Sequence, residues 1–138
     1  MNADAGTAKA LTTALDDEYK ARATYRKVIA KFGPIRPFIN IVEAEERHIA
    51  ALLRQFARLG VSPPSDSWAN HVEAPPCVDA ACASGVAAEV ANAALYDRLL
   101  ADVKDAQVRA VMRELQNASQ TRHLPAFRRC LHRSQKRQ

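Results

Sequence analysis

Glu45 and His48 stand where apolar side chains are expected. In the stretch Asn40-Ile-Val-Glu-Ala-Glu-Glu-Arg-His-Ile-Ala-Ala-Leu-Leu53, with its flanks, Phe38, Ile41, Val42, Ile49, Leu52, Phe56 and Leu59 recur at helical spacing. They mark a face to be buried, and Glu45 and His48 fall inside it, one turn apart. An unpaired buried charge costs several kcal/mol or shifts its pKa until it is neutral. Two chemistries answer that cost: hydrogen bonding to polar core neighbours, or ligation of a metal ion. Three further residues interrupt apolar stripes in the same way. Glu18 lies in a stripe of Leu11, Ala14/Leu15, Ala21, Tyr25, Val28/Ile29 and Phe32. Glu89 lies among Cys82, Gly85/Val86, Asn92/Ala93, Tyr96, Leu99/Leu100 and Val103. His123 lies among Val108, Val111/Met112, Leu115, Ser119, Phe127 and Cys130.

The elements that must position these residues are helices. Four Gly and 6% aromatic residues in 138, against abundant Ala, Leu, Arg and Glu, favour an all-α protein over a sheet. The stripes predict helices over about 5–32, 36–59, 78–103 and 106–133 in a single domain covering 1–138. Gly33 and Pro34 end the first, and Pro37 suits the first turn of the second. Gly60 ends the second, and Asp105 is a good N-cap for the fourth. Pro125 is expected to kink the fourth helix, because it cannot donate to the carbonyl of Thr121.

The segment 61–77 carries Pro63, Pro64, Pro75 and Pro76 and cannot be a long helix. Extended, such a segment reaches roughly 50 Å, more than the ~36 Å of a 24-residue helix. It can therefore return the chain to the opposite end of the bundle. The expected architecture is two antiparallel hairpins joined by a long crossover, with Trp68 packed over the side of the bundle and His71 at the surface.

The two hairpins resemble each other. Glu18 and Glu89 are each followed seven residues later by a tyrosine, Tyr25 and Tyr96, and each lies 15 residues before its hairpin turn, at Gly33 or Lys104. The second helix of one half has Glu45-Glu-Arg-His48, and that of the other Gln120-Thr-Arg-His123. The order Glu, Glu-x-x-His, Glu, Gln-x-x-His resembles the ferritin-like di-iron carboxylate superfamily, in its rubrerythrin-related and uncharacterised ferritin-like branch.

That resemblance covers nearly the whole chain and implies a ferritin-like four-helix bundle holding iron. It makes Glu18 and Glu89 terminal ligands, Glu45 a bridge, and His48 and His123 ligands to one metal each. Carboxylate and imidazole donors suit iron, with manganese or zinc as substitutes. Tyr25 and Tyr96 become hydrogen-bond donors to the carboxylates or aromatic core residues. The departure is Gln120, a weak ligand where the family has a second bridging Glu, so one ion or two are expected. Glu46 is the fallback ligand if the register shifts by one.

The implied activity is that of a di-iron oxidase, peroxidase or ferroxidase, with dioxygen or peroxide as the small oxidant. A homodimer is the expected assembly. No rubredoxin-type thiolate pair accompanies the centre. The competing reading is a metal-free helical interaction or structural module, with Gln120 as the trace of a decayed site.

The remaining features are blander. Cys77, Cys82 and Cys130 lack zinc spacing. An antiparallel hairpin puts Cys130 near Cys77 or Cys82, but free thiols are expected in a cytoplasmic protein. That compartment is inferred from a start without basic or apolar leader regions, Met-Asn-Ala-Asp-Ala-Gly, and from the lack of an uncharged span of ~20 apolar residues. The net charge of +5 comes from Arg122, Arg128, Arg129, Arg133, Lys136 and Arg137, with no acid after Glu114. Such a tail reads as a solvated helix end favoured by the macrodipole, with nucleic acid not expected as a partner. With four Gly, a phosphate-cradling loop is not expected either.

Overall fold

The computed structural model describes residues 4–136. Arg137, counted in the basic tail, and the first three residues of the chain lie outside the described residues. The chain is an all-α four-helix bundle. Helix α1 spans Ala5–Phe32, α2 Phe38–Leu59 and α3 Val78–Leu100. The fourth rod is composite: α4, Ala106–Ala118, a π-helical turn at Ser119–His123, and α5, Leu124–Lys136.

The starts of α1 and α4 are fixed by side-chain caps. Asp4 accepts from the Thr7 N–H at 2.8 Å, and Asp105 accepts from Val108 at 2.9 Å. Gly60 closes α2 at φ 67°, a left-handed value that favours glycine. Helix α3 ends at Leu100 rather than at 103. The Arg109 guanidinium reaches back to the carbonyls of Leu100 and Val103 and satisfies the end. The fourth helix departs further from expectation. Its irregularity is not a kink at Pro125 but the π turn just before it, where the Leu124 N–H bonds to the Ser119 carbonyl. Proline supplies no N–H, so the ladder ahead of it is already one bond short, and a wide turn is tolerated there.

Helix α1 packs mainly on α2, and α3 mainly on α5. The crossover runs along α1 from its middle towards its C-terminal end. Trp68 Nε1 donates to Asp16 at 3.0 Å, Arg22 pairs with Asp66 at 2.9 Å, and Lys31 Nζ reaches the Pro75 carbonyl at 3.2 Å. Trp68 packs against the core as expected, and His71 is exposed. Helix α3 is the one described helix long and apolar enough, by composition, to cross a membrane. Glu89 and Asn92, in its middle, are buried inside the bundle.

The apolar core is divided. One cluster gathers Leu11, Leu15, Leu52, Phe56, Leu100, Val108 and Met112. The other gathers Tyr25, Val28, Phe38, Ile41, Cys82, Phe127 and Cys130. Helices α3 and α5 approach closely there: a Cβ built on Gly85 would lie 2.5 Å from the Phe127 ring. The expectation of three free thiols is overturned at the same place. Cys82 and Cys130 form a disulfide, because antiparallel packing of α3 on α5 sets their Cα atoms 5.6 Å apart, within bridging range. Cys77, at the N-cap of α3, is exposed and free.

The bridge closes a loop with a sequence separation of 48. Unfolded but unreduced protein is therefore expected to expose one titratable thiol per chain, rising to three after reduction. Replacing both Cys82 and Cys130 by Ser should cost about 2–4 kcal/mol in chemical denaturation. Three reactive thiols without reductant, or an unchanged midpoint, would contradict the bridge.

Candidate metal centre

Between the two apolar clusters lies a polar layer to which every helix of the bundle contributes. Helix α1 supplies Glu18, α2 Glu45 and His48, α3 Glu89, and the π turn His123. None of the five is more than 7% exposed. Each sits on the inward stripe of its helix, so the burial of neighbouring apolar residues forces it into the interior.

Around Glu45 the side chains converge. His48 Nδ1 lies 3.6 Å from Glu18 Oε2 and 3.8 Å from Glu45 Oε2. His123 Nδ1 lies 3.0 Å from Glu89 Oε1 and 3.5 Å from Glu45 Oε1. The two imidazoles stack at 5.3 Å between centroids. The result is two groups that could each hold a metal ion, Glu18/Glu45/His48 and Glu45/Glu89/His123, with donor atoms in each within 4.8 Å of one another. Glu45 belongs to both.

The tyrosines exchange across the α1–α3 contact. Tyr25 Oη donates to Glu89 at 2.7 Å and Tyr96 Oη to Glu18 at 2.8 Å. Each tyrosine thus holds the carboxylate of the opposite half. Tyr25 also packs against Phe38 and Phe127, so for it the packing role and the donor role coexist.

Gln120 is not in the layer. It is exposed, and Ser119 is the buried residue of that turn. The extra residue in the π turn changes which position faces inward: the residue four before His123 points in, and the one three before points out. Ser119 Oγ donates to Asn92 Oδ1 at 2.7 Å, and Asn92 Nδ2 donates to Asp17 Oδ2 at 2.7 Å. Ser119 and Asn92 thus bring neutral groups to the fourth helix's side of the layer. Glu46 is at the surface, paired with Arg22 and Arg26 on α1.

The electrostatics are those of crowded carboxylates. Burial pushes Glu45 well above the usual carboxylate range, and the nearby charges of Glu18 and Glu89 reinforce it. Burial also acts against a charged Glu18, but the neighbouring Glu45 carboxyl, the proximity of His48 and the Tyr96 hydroxyl outweigh it and lower its pKa to about 2. Burial raises Tyr25 and Tyr96 well above their ordinary value, so both remain hydroxyl donors. Asp17 is raised, again first by burial.

Two buried atoms in the layer have no hydrogen-bond partner, Glu45 Oε2 and His48 Nδ1. They lie 3.8 Å apart in the same three-residue group. A buried acceptor left unsatisfied costs about 1–3 kcal/mol, and a cation between these atoms would satisfy both. The donor set of hard carboxylate oxygens and imidazole nitrogen fits iron, manganese or zinc. A cavity of about 350 Å³ between α1 and α3, lined in part by Tyr25, Glu45, Glu89 and Ala88, gives access to the layer.

Asp17, Asn92 and Ser119 did not stand out in the sequence as site residues. Asn92 and Ser119 sit at stripe positions, which was the available signal. Asp17 is adjacent to Glu18 and reads as an ordinary surface acid.

No family model matches the chain, and no curated protein matches it. Among solved structures, the crystal structure of a hypothetical protein from Methanococcus jannaschii DSM 2661 is similar, with a TM-score of 0.81 at 21% identity. The match covers 92% of this chain and 80% of that one, and shows a shared fold.

A linkage consequence follows for metal-free protein. Glu45, raised in the fold, contributes stability that is complete below the unfolded carboxyl value of 4.5 and is lost as pH rises. Glu18, lowered, contributes stability that is complete above 4.5 and is lost as pH falls towards about 2. Glu45→Gln should therefore stabilise metal-free protein at pH 8 relative to pH 5, by on the order of 1 kcal/mol. Urea denaturation at the two pH values measures this, and an equal effect of the substitution at both contradicts it.

Proposed function

We propose that the protein is a ferritin-like metalloprotein that binds iron in the polar layer, through Glu18, Glu45 and His48 at one position and Glu45, Glu89 and His123 at the other. The observation that carries the reading is the pair of unpartnered buried atoms, Glu45 Oε2 and His48 Nδ1, turned towards a shared space with Glu18. When bound, the metal would supply Fe(II) oxidation coupled to reduction of dioxygen or peroxide.

The chain's own residues set the conditions. The two apolar clusters exclude water from both ends of the layer, which strengthens every charge interaction inside it. Tyr25 and Tyr96 fix the rotamers of Glu89 and Glu18 and leave their second oxygens facing the imidazoles. Glu45, held protonated by its neighbours, must give up its proton as a cation arrives, so uptake releases a proton and strengthens with rising pH. Asn92 and Ser119 are neutral and the Asp17 carboxylate, tied to Asn92, belongs to neither group, so three carboxylates must serve both positions. The position without Tyr96 and Glu18 is the one adjoining Ser119 and is proposed to be the weaker.

Protein stripped of metal and titrated anaerobically with Fe(II) should retain up to two ions per chain, one for each group. Glu45→Ala should abolish most retention, since both groups share that residue, whereas Glu18→Ala should spare the other position. Retained metal is measured by elemental analysis after desalting, and oxidation by the rate of dioxygen consumption. Retention below about a tenth of an equivalent of iron, manganese or zinc would overturn the reading in favour of a metal-free bundle.

A further inference from the structure

On the side of the layer away from the α1–α3 cavity, helices α2 and α5 diverge around a second cavity of about 470 Å³. His123, whose Nδ1 faces Glu89 and Glu45, forms part of its wall. Apart from Asn40, the rest of the polar lining is cationic: Arg36 and Arg47 from the α2 side, Arg122 from the π turn, and Arg129 and Arg133 from α5. Their spacing puts them on facing surfaces. Residues 40, 44 and 47 share one face of α2, with Arg36 in the turn before it, and 122, 126, 129 and 133 share one face of the fourth rod. The residues between the arginines are small or apolar, Ala44, Ala126 and Ile41, which leaves the space open between the charged rims.

We infer that this arginine groove binds a small polyanion, a molecule carrying two or more phosphate or carboxylate groups, with one end against His123. Among the described residues, none of the five arginines has a carboxylate within ion-pairing distance; the three arginines that do, Arg22, Arg26 and Arg58, lie elsewhere on the bundle. Glu43, one turn before Arg47 on α2, makes no ion pair with it, and Glu46 is committed to α1. Arg129 and Arg133 repel each other at i,i+4 spacing. Five guanidinium groups border this concavity with no carboxylate of the chain to balance them. Guanidinium forks match phosphate and carboxylate oxygens in pairs, and the volume lies in the range of small-molecule sites. As the substrate side of the centre the groove rests on the metal reading; as an anion site it stands alone.

The test uses the full chain in metal-free form, because the probes chelate metals. Pyrophosphate and citrate are titrated by calorimetry, the two arms separating phosphate from carboxylate. One site per chain is expected for at least one probe. Its affinity should fall at least about tenfold in Arg47→Gln/Arg129→Gln, and should hold in Arg128→Gln, which alters an exposed residue of α5 outside the groove. The thermal midpoint of the double variant without anion should be no lower than that of the wild type, which establishes that it folds. No saturable binding of either probe, equal weakening by Arg128→Gln, or salt-dependent retention of duplex DNA in place of pyrophosphate and citrate binding each overturns the inference. Metal uptake is scored separately. A chain that takes iron but neither probe loses this inference alone, and one that takes pyrophosphate but no metal loses the metal reading alone.

Discussion

The rest of the bundle is arranged around the repulsion among three carboxylates held in one buried layer. Glu18, Glu45 and Glu89 come from three helices and meet with no Lys or Arg among them. Charges this close and this dry interact strongly, and the layer has two means of neutralising them. One is to keep protons, and the raised Glu45 does so. The other is to admit a cation. A network kept for structure alone is normally closed by arginine or by a full set of hydrogen bonds. Here Glu45 Oε2 and His48 Nδ1 are left open instead.

Holding that layer together sets the register of the helices. The crossed pairs Tyr25–Glu89 and Tyr96–Glu18 are satisfied only when α1 and α3 run antiparallel with these depths matched. The long crossover makes that pairing reachable by carrying the chain back along α1 before α3 begins. At the other contact of α3, the Cys82–Cys130 bridge lies two helical turns from Glu89 on one strand of the pair and two from His123 on the other. Together with the Gly85–Phe127 approach, it fixes the α3–α5 spacing on which the Glu89–His123 contact depends.

The five central residues were legible because each breaks an apolar stripe, and because the stripes themselves told which faces were buried. The four-helix architecture and the crossover followed from the same periodicity and from the prolines of 61–77. What could not be read was the π turn. Ser119 stood in the apolar stripe, but matching Gln120-x-x-His123 to Glu45-x-x-His48 pointed to Gln120, which lies at the surface while Ser119 faces inward. Pro125 was visible, but its effect falls in the turn before it rather than at the residue itself. The disulfide was hidden by a general rule about compartments, although the antiparallel register already placed Cys130 opposite the start of α3. The basic residues misled in another way. Read along the chain they form a tail, but Arg47 on α2 and Arg36 in the turn before it turn part of that tail into a groove.

The two departures from a symmetric layer fall on the same turn. Ser119 brings no carboxylate to the position beside Glu89 and His123, and Arg122 and His123, in that turn, open onto the arginine groove. A cation shared by Glu45, Glu89 and His123 would meet less negative charge than a fourth carboxylate would provide. A polyanion in the groove would bring negative charge to that side, held by arginines that themselves lack counter-ions. Linkage then requires the two ligands to favour each other, since whatever strengthens metal at the anion's presence must strengthen the anion at the metal's. With Ser119 neutral, the negative charge on that side would come from a mobile ligand rather than from a fixed side chain.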